Sequence, residues 1–520
     1  MHQAIRAEGE DSKMNRECSF RQGNILSFAV LCLLLIGNLF FLKYNAFRYF
    51  HFYDMCFSLD GGWRILKGQK PYIDFIYFSG PIHLYLHALF FKLFGFGKTA
   101  VWVHLWMVNS IVVVFVYLLT YRWMPFYLTF LVAVLTTTSF YWPVSHPWHD
   151  QSTHLWGIVG IAYLSRRIPF TKPSQAFQTG LFCGVMAVLS FMTKINIGMA
   201  YLVLFALVCL VSDQRKNALL GYGIGLGAAL IVMRLLITDP KAYIDQIVTY
   251  GQLTRDQRLS GFLQISKWLS NYYWFPLVIV GLNICAFVKP LKEWIILFIG
   301  TFVVAIISIV SGQMIPEANV CLWGVFLGLA FILLFKKRNL IRGGKHVLLW
   351  RSSLGALIIF TFVLIGFSVK FGLDLKAWTY ITGKTPVGVY AIETEPFKGW
   401  HTDPIKGQAL DQFANFIKSN VPADQSLLVL SDLQILYALT GRDSYRGIPL
   451  FVFRKNHMPV PGKQLEEVSR HLREHLPDWI ILDVDNYFLE IPYLGLKDII
   501  NKDYFVVFPS GPYALIRHRI

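Results

Sequence analysis

Eleven apolar runs, each near the length of a bilayer crossing, constrain this chain more than any other feature it has. A helix needs about 20 mostly apolar residues to cross the hydrocarbon core, because lipid offers the backbone no hydrogen-bond partner. The runs at 25–43, 100–121, 125–142, 151–165, 176–193, 196–212, 217–237, 269–288, 292–311, 318–335 and 347–369 meet or approach that length. Hydrophobic residues make up 55% of the 520 and charged residues 15%, where a soluble domain carries roughly 25% charged, so lipid is the expected solvent.

A net charge of +17 does not argue for nucleic acid, since the basic residues fall between apolar runs rather than on one solvated patch. Arg16/Arg21, Arg122, Arg166/Arg167/Lys172, Arg215/Lys216, Lys289/Lys292 and Lys336/Lys337/Arg338/Arg342/Lys345 occupy every second inter-span loop. A Lys and Arg excess marks cytoplasmic loops. The segment 1–24 is therefore expected in the cytoplasm, and an odd number of spans carries 370–520 to the other side. The first run lacks a small-residue cleavage site and reads as an uncleaved signal anchor in the plasma (inner) membrane. Seven scattered cysteines form no disulfide framework and no CxxC metal spacing.

The run Gly80 to Gly95 is only 16 residues long and contains His83, His87 and Lys92. Counting it as a span would turn Arg166, Arg167 and the Lys336–Lys345 cluster outward, so it is expected to lie along the outer leaflet as an interfacial helix. Residues 44–99 then form one long outer loop, 238–268 a second, and Trp142 to Asp150 a short third. Beyond 370 the pattern becomes globular. Helical stretches at 406–419 and 464–475 alternate with strand-like 426–430, 479–483 and 504–508, which predicts a small α/β domain. The expected fold class is an α-helical polytopic membrane protein with about 11 transmembrane helices over 25–369 and an extracytoplasmic α/β domain over 370–520.

Charges at a membrane edge are costly enough to be functional candidates. Asp54, Asp60, Asp74, Asp150, Lys194, Arg234 and Glu317 all fall at one membrane face in this topology. Each also has a structural reading. Asp54 and Asp150 are placed to cap the helices that follow them, Lys194 and Arg234 to snorkel, and Asp60, Asp74 and Glu317 to stand in solvated loops. His83 and His87, four apart, have a zinc-compatible spacing but read more simply as the polar face of the interfacial helix.

The stretch YDMCFSLDGGWRILKGQKPYIDF followed by GPIHLYLHALFFKLFG, residues 53–95, resembles the first outer loop of GT-C-class glycosyltransferases, which include protein O-mannosyltransferases and lipid A aminoarabinose transferases. Asp54, Gly68, Pro71, Tyr72, Asp74, Pro81 and Phe94-Gly95 follow that pattern in order. Asp150 at the head of span four and Met192-Thr193-Lys194 after span five match it again. Two positions depart: Met55 stands where many relatives have Glu, and Gly80 where some have a basic residue.

The resemblance implies a GT-C fold and a glycosyltransferase that inverts the anomeric carbon. It implies a sugar donor on a polyprenyl phosphate and, as acceptor, a hydroxyl of an envelope glycan, lipid or protein. It implies Asp54 as general base, Asp150 as a metal or acceptor partner, and Lys194, with Arg255 or Arg258, on the donor phosphate. A divalent metal (Mg, Mn or Zn) on Asp150 with His149, and His146 behind it, is a further expectation. The chemistry asks for the same kinds of group: a carboxylate to take the proton of a poorly nucleophilic alcohol, and a cation to meet the charge developing on the leaving phosphate. Two other classes fit the topology, a transporter or flippase of lipid-linked precursors and a polysaccharide ligase or polymerase. A transporter would be expected to show repeated halves with charges near the midplane, and a ligase to carry its large loop late in the chain. Neither pattern is visible.

Overall fold

The structure, a computed structural model, describes residues 28–141, 146–253, 274–284, 291–311, 321–338, 344–373, 389–450, 462–484 and 496–519. Each of the eleven apolar runs holds a helix. These are α1 (Phe28–Ala46), α4 (Lys98–Tyr121), α5 (Phe126–Ser139), α6 (His149–Ser165), α7 (Pro173–Phe191), α8 (Ile195–Val211), α9 (Arg215–Leu236), α11 (Trp274–Ile284), α12 (Lys292–Ser311), α13 (Trp323–Arg338) and α14 (Gly344–Leu373). Among the described residues, six helices, α1, α4, α7, α9, α12 and α14, are long and apolar enough to cross a membrane on length and composition alone. The helix in the run 269–288 is described only over Trp274–Ile284.

The first loop contributes two more helices, α2 (Phe52–Leu66) and α3 (Ile82–Phe94), and the second loop one, α10 (Pro240–Leu253). The 13 residues of α3 span about 20 Å, short of a crossing. Both of its ends lie at one face of the bundle. Its first amide, Ile82 N, donates to Met192 O at 3.1 Å. Just past its last turn, Phe96 packs edge-on against Trp63 of α2 and Phe397 of the C-terminal domain. At the opposite end of the bundle the basic loops gather. Lys336 stands over the Trp123 and Trp294 rings at 3.6 and 4.6 Å, and Lys292 pairs with Asp213 at 2.5 Å.

The C-terminal domain carries a short ribbon of β1 (Tyr390–Ala391) with β2 (His401–Thr402), then α15 (Pro404–Asn420), β3 (Leu427–Leu430), α16 (Leu436–Leu439), α17 (Gly462–Glu474), β4 (Trp479–Asp483), α18 (Lys497–Asp503), β5 (Tyr504–Ser510) and β6 (Tyr513–His518). Asp403 starts α15 by accepting from Lys406 N at 3.1 Å, with Pro404 at the first helical position. The main sheet runs β3-β4-β6-β5, parallel between β3 and β4 and antiparallel elsewhere. The domain packs against the loop 44–99 through its ribbon and the segment after α16. Phe50 N donates to His401 O at 2.6 Å, Trp63 Nε1 to Arg442 O at 2.9 Å, and Ile76 exchanges backbone bonds with Ile448 and Leu450 at 3.1 and 2.9 Å.

Candidate active site

The site is built where helix α6 begins. Pro147 and the extended Trp148 stop any earlier start, so the first turn presents His149 and Asp150 at the end of the bundle that carries α2 and α3. A carboxylate in a first turn is favoured there by the free backbone amides and the positive end of the helix dipole. Facing it is the break between α7 and α8. Thr193 Oγ1 closes the last turn of α7 by donating to Leu189 O at 2.7 Å, and Lys194 follows in an extended conformation as the cap of α8.

This turn brings together residues 44 positions apart: Lys194 Nζ donates to Asp150 Oδ1 at 2.5 Å. His149 Nε2 lies 3.2 Å from the same oxygen. The Asp150 side chain is 6% exposed and that of Lys194 13%, so the pair is nearly dry but not sealed. One turn into α6, His154 is held between Tyr201 Oη at 2.8 Å and Ser308 Oγ at 3.1 Å, tying α6 to α8 and α12 beneath the carboxylate.

The turn bearing Lys194 is pressed against the loop 44–99. Ser79 Oγ donates to Thr193 O at 3.1 Å, and a Cβ added at Gly80 would lie 1.9 Å from Met192 O. Only glycine permits that approach, which explains why no basic side chain occupies position 80. Asp54 is the third residue of α2, and its side chain lies outside the described residues. One helical turn later, Phe57 meets the His149 ring with centroids 6.3 Å apart. Arg255, Arg258 and Glu317 fall outside the described residues.

Several expectations need correction. Asp60, read as a solvated loop residue, is 1% exposed and joined to Arg64 Nε at 2.7 Å and Ser444 Oγ at 2.5 Å. Asp74 is no free loop acid either. It accepts from Lys70 N at 2.7 Å and pairs with Arg446 at 3.2 Å, closing its own turn and meeting the C-terminal domain. Arg234, by contrast, keeps its structural reading, donating to Ile237 O at 2.7 Å at its own helix end. His83 and His87 do not form an exposed polar face; both are buried between α2, α4 and α6. The signal that could have revealed this is Gly61-Gly62, since a Cβ at Gly62 would come within 2.5 Å of His87 Cβ and only a pair of glycines lets α3 lie so close to α2.

Among the described residues no set of three or more His, Cys, Asp or Glu side chains is placed to hold one metal ion. Asp150 and His149 fit a divalent metal poorly. The Lys194 ammonium already occupies the cation position on Asp150 Oδ1, and His149 points its Nε2 at that same oxygen.

Among the described residues, eleven helices in the apolar runs, two loop helices laid across one end of the bundle and an α/β domain against them give a polytopic membrane protein with a GT-C-like fold. Among solved structures it is similar to ArnT from Cupriavidus metallidurans bound to undecaprenyl phosphate, with a TM-score of 0.53 and 12% identity over 95% of this chain and 97% of that one. The apo state of the same protein gives 0.51, again at 12% identity with the same coverage. No protein-family model matches the chain, and no curated protein sequence matches it. At this identity the likeness is one of fold.

Proposed function

We propose that this protein is an inverting glycosyltransferase that moves a sugar from a polyprenyl-phosphate donor to an acceptor hydroxyl at the extracytoplasmic face of the plasma membrane. The observation that carries the reading is the nearly dry Asp150–Lys194 pair at the outer end of the bundle, beneath the helix that bears Asp54. The fold supports it, since the similar ArnT was crystallised with undecaprenyl phosphate. The acceptor belongs to the envelope, as a glycan, a lipid or a protein.

In the proposed reaction the Asp54 carboxylate takes the proton of the acceptor hydroxyl as its oxygen attacks the anomeric carbon from the face opposite the phosphate. The bond from that carbon to the phosphate oxygen breaks, its electron pair stays on the lipid phosphate, and the product is inverted. Lys194 meets the growing phosphate charge, with Arg255 or Arg258 of the second outer loop as further cations. Asp150 holds the ammonium in place through a direct hydrogen bond to Oδ1. In this reading the positive charge at the leaving phosphate comes from Lys194.

The test is the full-length protein in lipid nanodiscs, supplied with polyprenyl-phosphate sugars, with release of the lipid phosphate followed. A general base contributes about 10²- to 10⁴-fold, so Asp54→Asn is expected to lose transfer to that extent while still binding donor. Full transfer by that variant would overturn the assignment.

A further inference from the structure

Three separate elements must be held in register for the proposed site to work: α2 with Asp54, the head of α6 with Asp150, and the turn with Lys194. One buried side chain contacts the first two and is pinned to the third. His83 is the second residue of α3 and has no exposed surface. Its Nε2 lies 3.2 Å from Ser58 Oγ on α2, and its Nδ1 3.4 Å from Ser152 Oγ on α6. Ser58 is one helical turn after Asp54, and Ser152 two residues after Asp150. The residue before His83, Ile82, makes the backbone bond to Met192 O that fixes α3 to the turn holding Lys194.

The hydrogen-bond roles form one consistent chain. Ser152 Oγ has Trp148 O as an acceptor at 3.2 Å, so its oxygen is left to receive a proton from His83 Nδ1–H. That tautomer leaves Nε2 bare, and Ser58 Oγ–H donates to it. A neutral imidazole suits the chain, with one ring nitrogen donating and the other accepting. Backbone and side chain thus reach all three elements from one position. Helix α3 cannot drift from α2 to relax the bridge, because Gly61 and Gly62 place the two helices in close contact.

We infer that His83 is a positioning residue, a neutral two-ended bridge through Ser58 and Ser152 that sets the helix bearing Asp54 against the helix head bearing Asp150. This rests on the glycosyltransferase reading for its effect on rate, but its structural part does not. Misplacing a reacting group by about 1 Å can cost roughly 10²-fold. His83→Phe keeps a flat ring, somewhat larger than the imidazole, and removes both bonds.

The first experiment needs no turnover. Spin labels at positions 67 and 166, at the far ends of α2 and α6, report the distance between the two helices in the full chain. His83→Phe is expected to broaden or shift that distribution, and His83→Gln, which keeps an amide able to bond a serine, to restore part of it. An unchanged distribution for His83→Phe overturns the inference whether or not the protein transfers sugar.

In the transfer assay His83→Phe is expected to lower kcat about 10- to 10²-fold with donor KM little changed. In a Ser58→Ala/Ser152→Ala background the same change should add almost nothing, because the bridge is already gone. A full further loss there would mean that His83 acts by bulk and not through the serines. Asp54→Asn with full activity would defeat the function while leaving the distance result standing.

Discussion

Two buried acid–base pairs lie at the same end of the helix bundle, and they are built for different ends. Asp60 and Arg64, four apart on α2, are 0% and 1% exposed in their side chains. Both Asp60 oxygens are engaged, one by Arg64 Nε and one by Ser444 Oγ, and Arg64 reaches on to Gln69 Oε1 at 3.1 Å and Tyr445 O at 2.7 Å. Even so, burial pushes the Asp60 carboxyl above its usual range despite the guanidinium beside it. Asp150 and Lys194 form a simpler pair. Lys194 Nζ and His149 Nε2 converge on Oδ1, and Lys194 keeps 13% of its side chain exposed. A closed network joins two domains. An open one leaves a cation something still to bind.

The difference predicts which pair matters for stability and which for turnover. Arg64→Met strands Asp60 in the middle of a helix with only Ser444 for company, and breaking a buried pair on one side costs about 3–5 kcal/mol. Thermal unfolding in detergent is expected to show that loss, while the protein that remains folded keeps its transfer rate within a few-fold. Replacing both partners, as Asp60→Leu with Arg64→Met, should recover much of it. A stable Arg64→Met protein without transfer activity would reverse the two roles.

Lys194→Ala is the matching cut in the other pair. Asp150 keeps the positive dipole end of α6 as well as His149, so folded stability is expected to fall by less than in Arg64→Met. Donor binding should weaken instead, with kcat/KM lowered about 10²-fold, the scale seen when one charge-stabilising donor is removed. Titration of the variant with polyprenyl phosphate checks the binding. Unchanged affinity would remove Lys194 from the phosphate.

The contrast also shows how far the residues could be read unaided. The eleven runs and their spacing were legible because the bilayer demands unbroken apolar length, and all of them hold helices. The Asp60–Arg64 pair carries a legible sign, its i,i+4 spacing. Its third member, Ser444, is 384 positions away, so the closed network was not legible. His83 was misjudged for a related reason. Whether a histidine on an apolar helix faces lipid headgroups or a neighbour depends on what packs there, and the Gly61-Gly62 contact is a property of two helices rather than one. In the C-terminal domain, β6 went unread because its apolar stretch, Tyr513–Ile516, is short and ends in Arg517-His518. It nevertheless lies inside the sheet, between β4 and β5.

The smallest expected effect is also the sharpest on metal use. His149 and Ser444 are the third members of the two groups, and each reaches its carboxylate through one contact, at 3.2 and 2.5 Å. Ser444→Ala is expected to cost about 1–3 kcal/mol of stability, the desolvation penalty of an oxygen left without its donor, and nothing in rate. His149→Gln keeps a donor near Asp150 Oδ1 and should leave both stability and transfer within a few-fold of the parent. If Asp150 and His149 held a catalytic metal, that substitution would cost far more, since it removes an imidazole ligand of the ion. Chelator-treated protein would then lose activity and regain it with Mg, Mn or Zn. With Lys194 as the working cation, chelation is expected to leave transfer unchanged, and metal-dependent rescue would show that Asp150 holds a metal in place of Lys194.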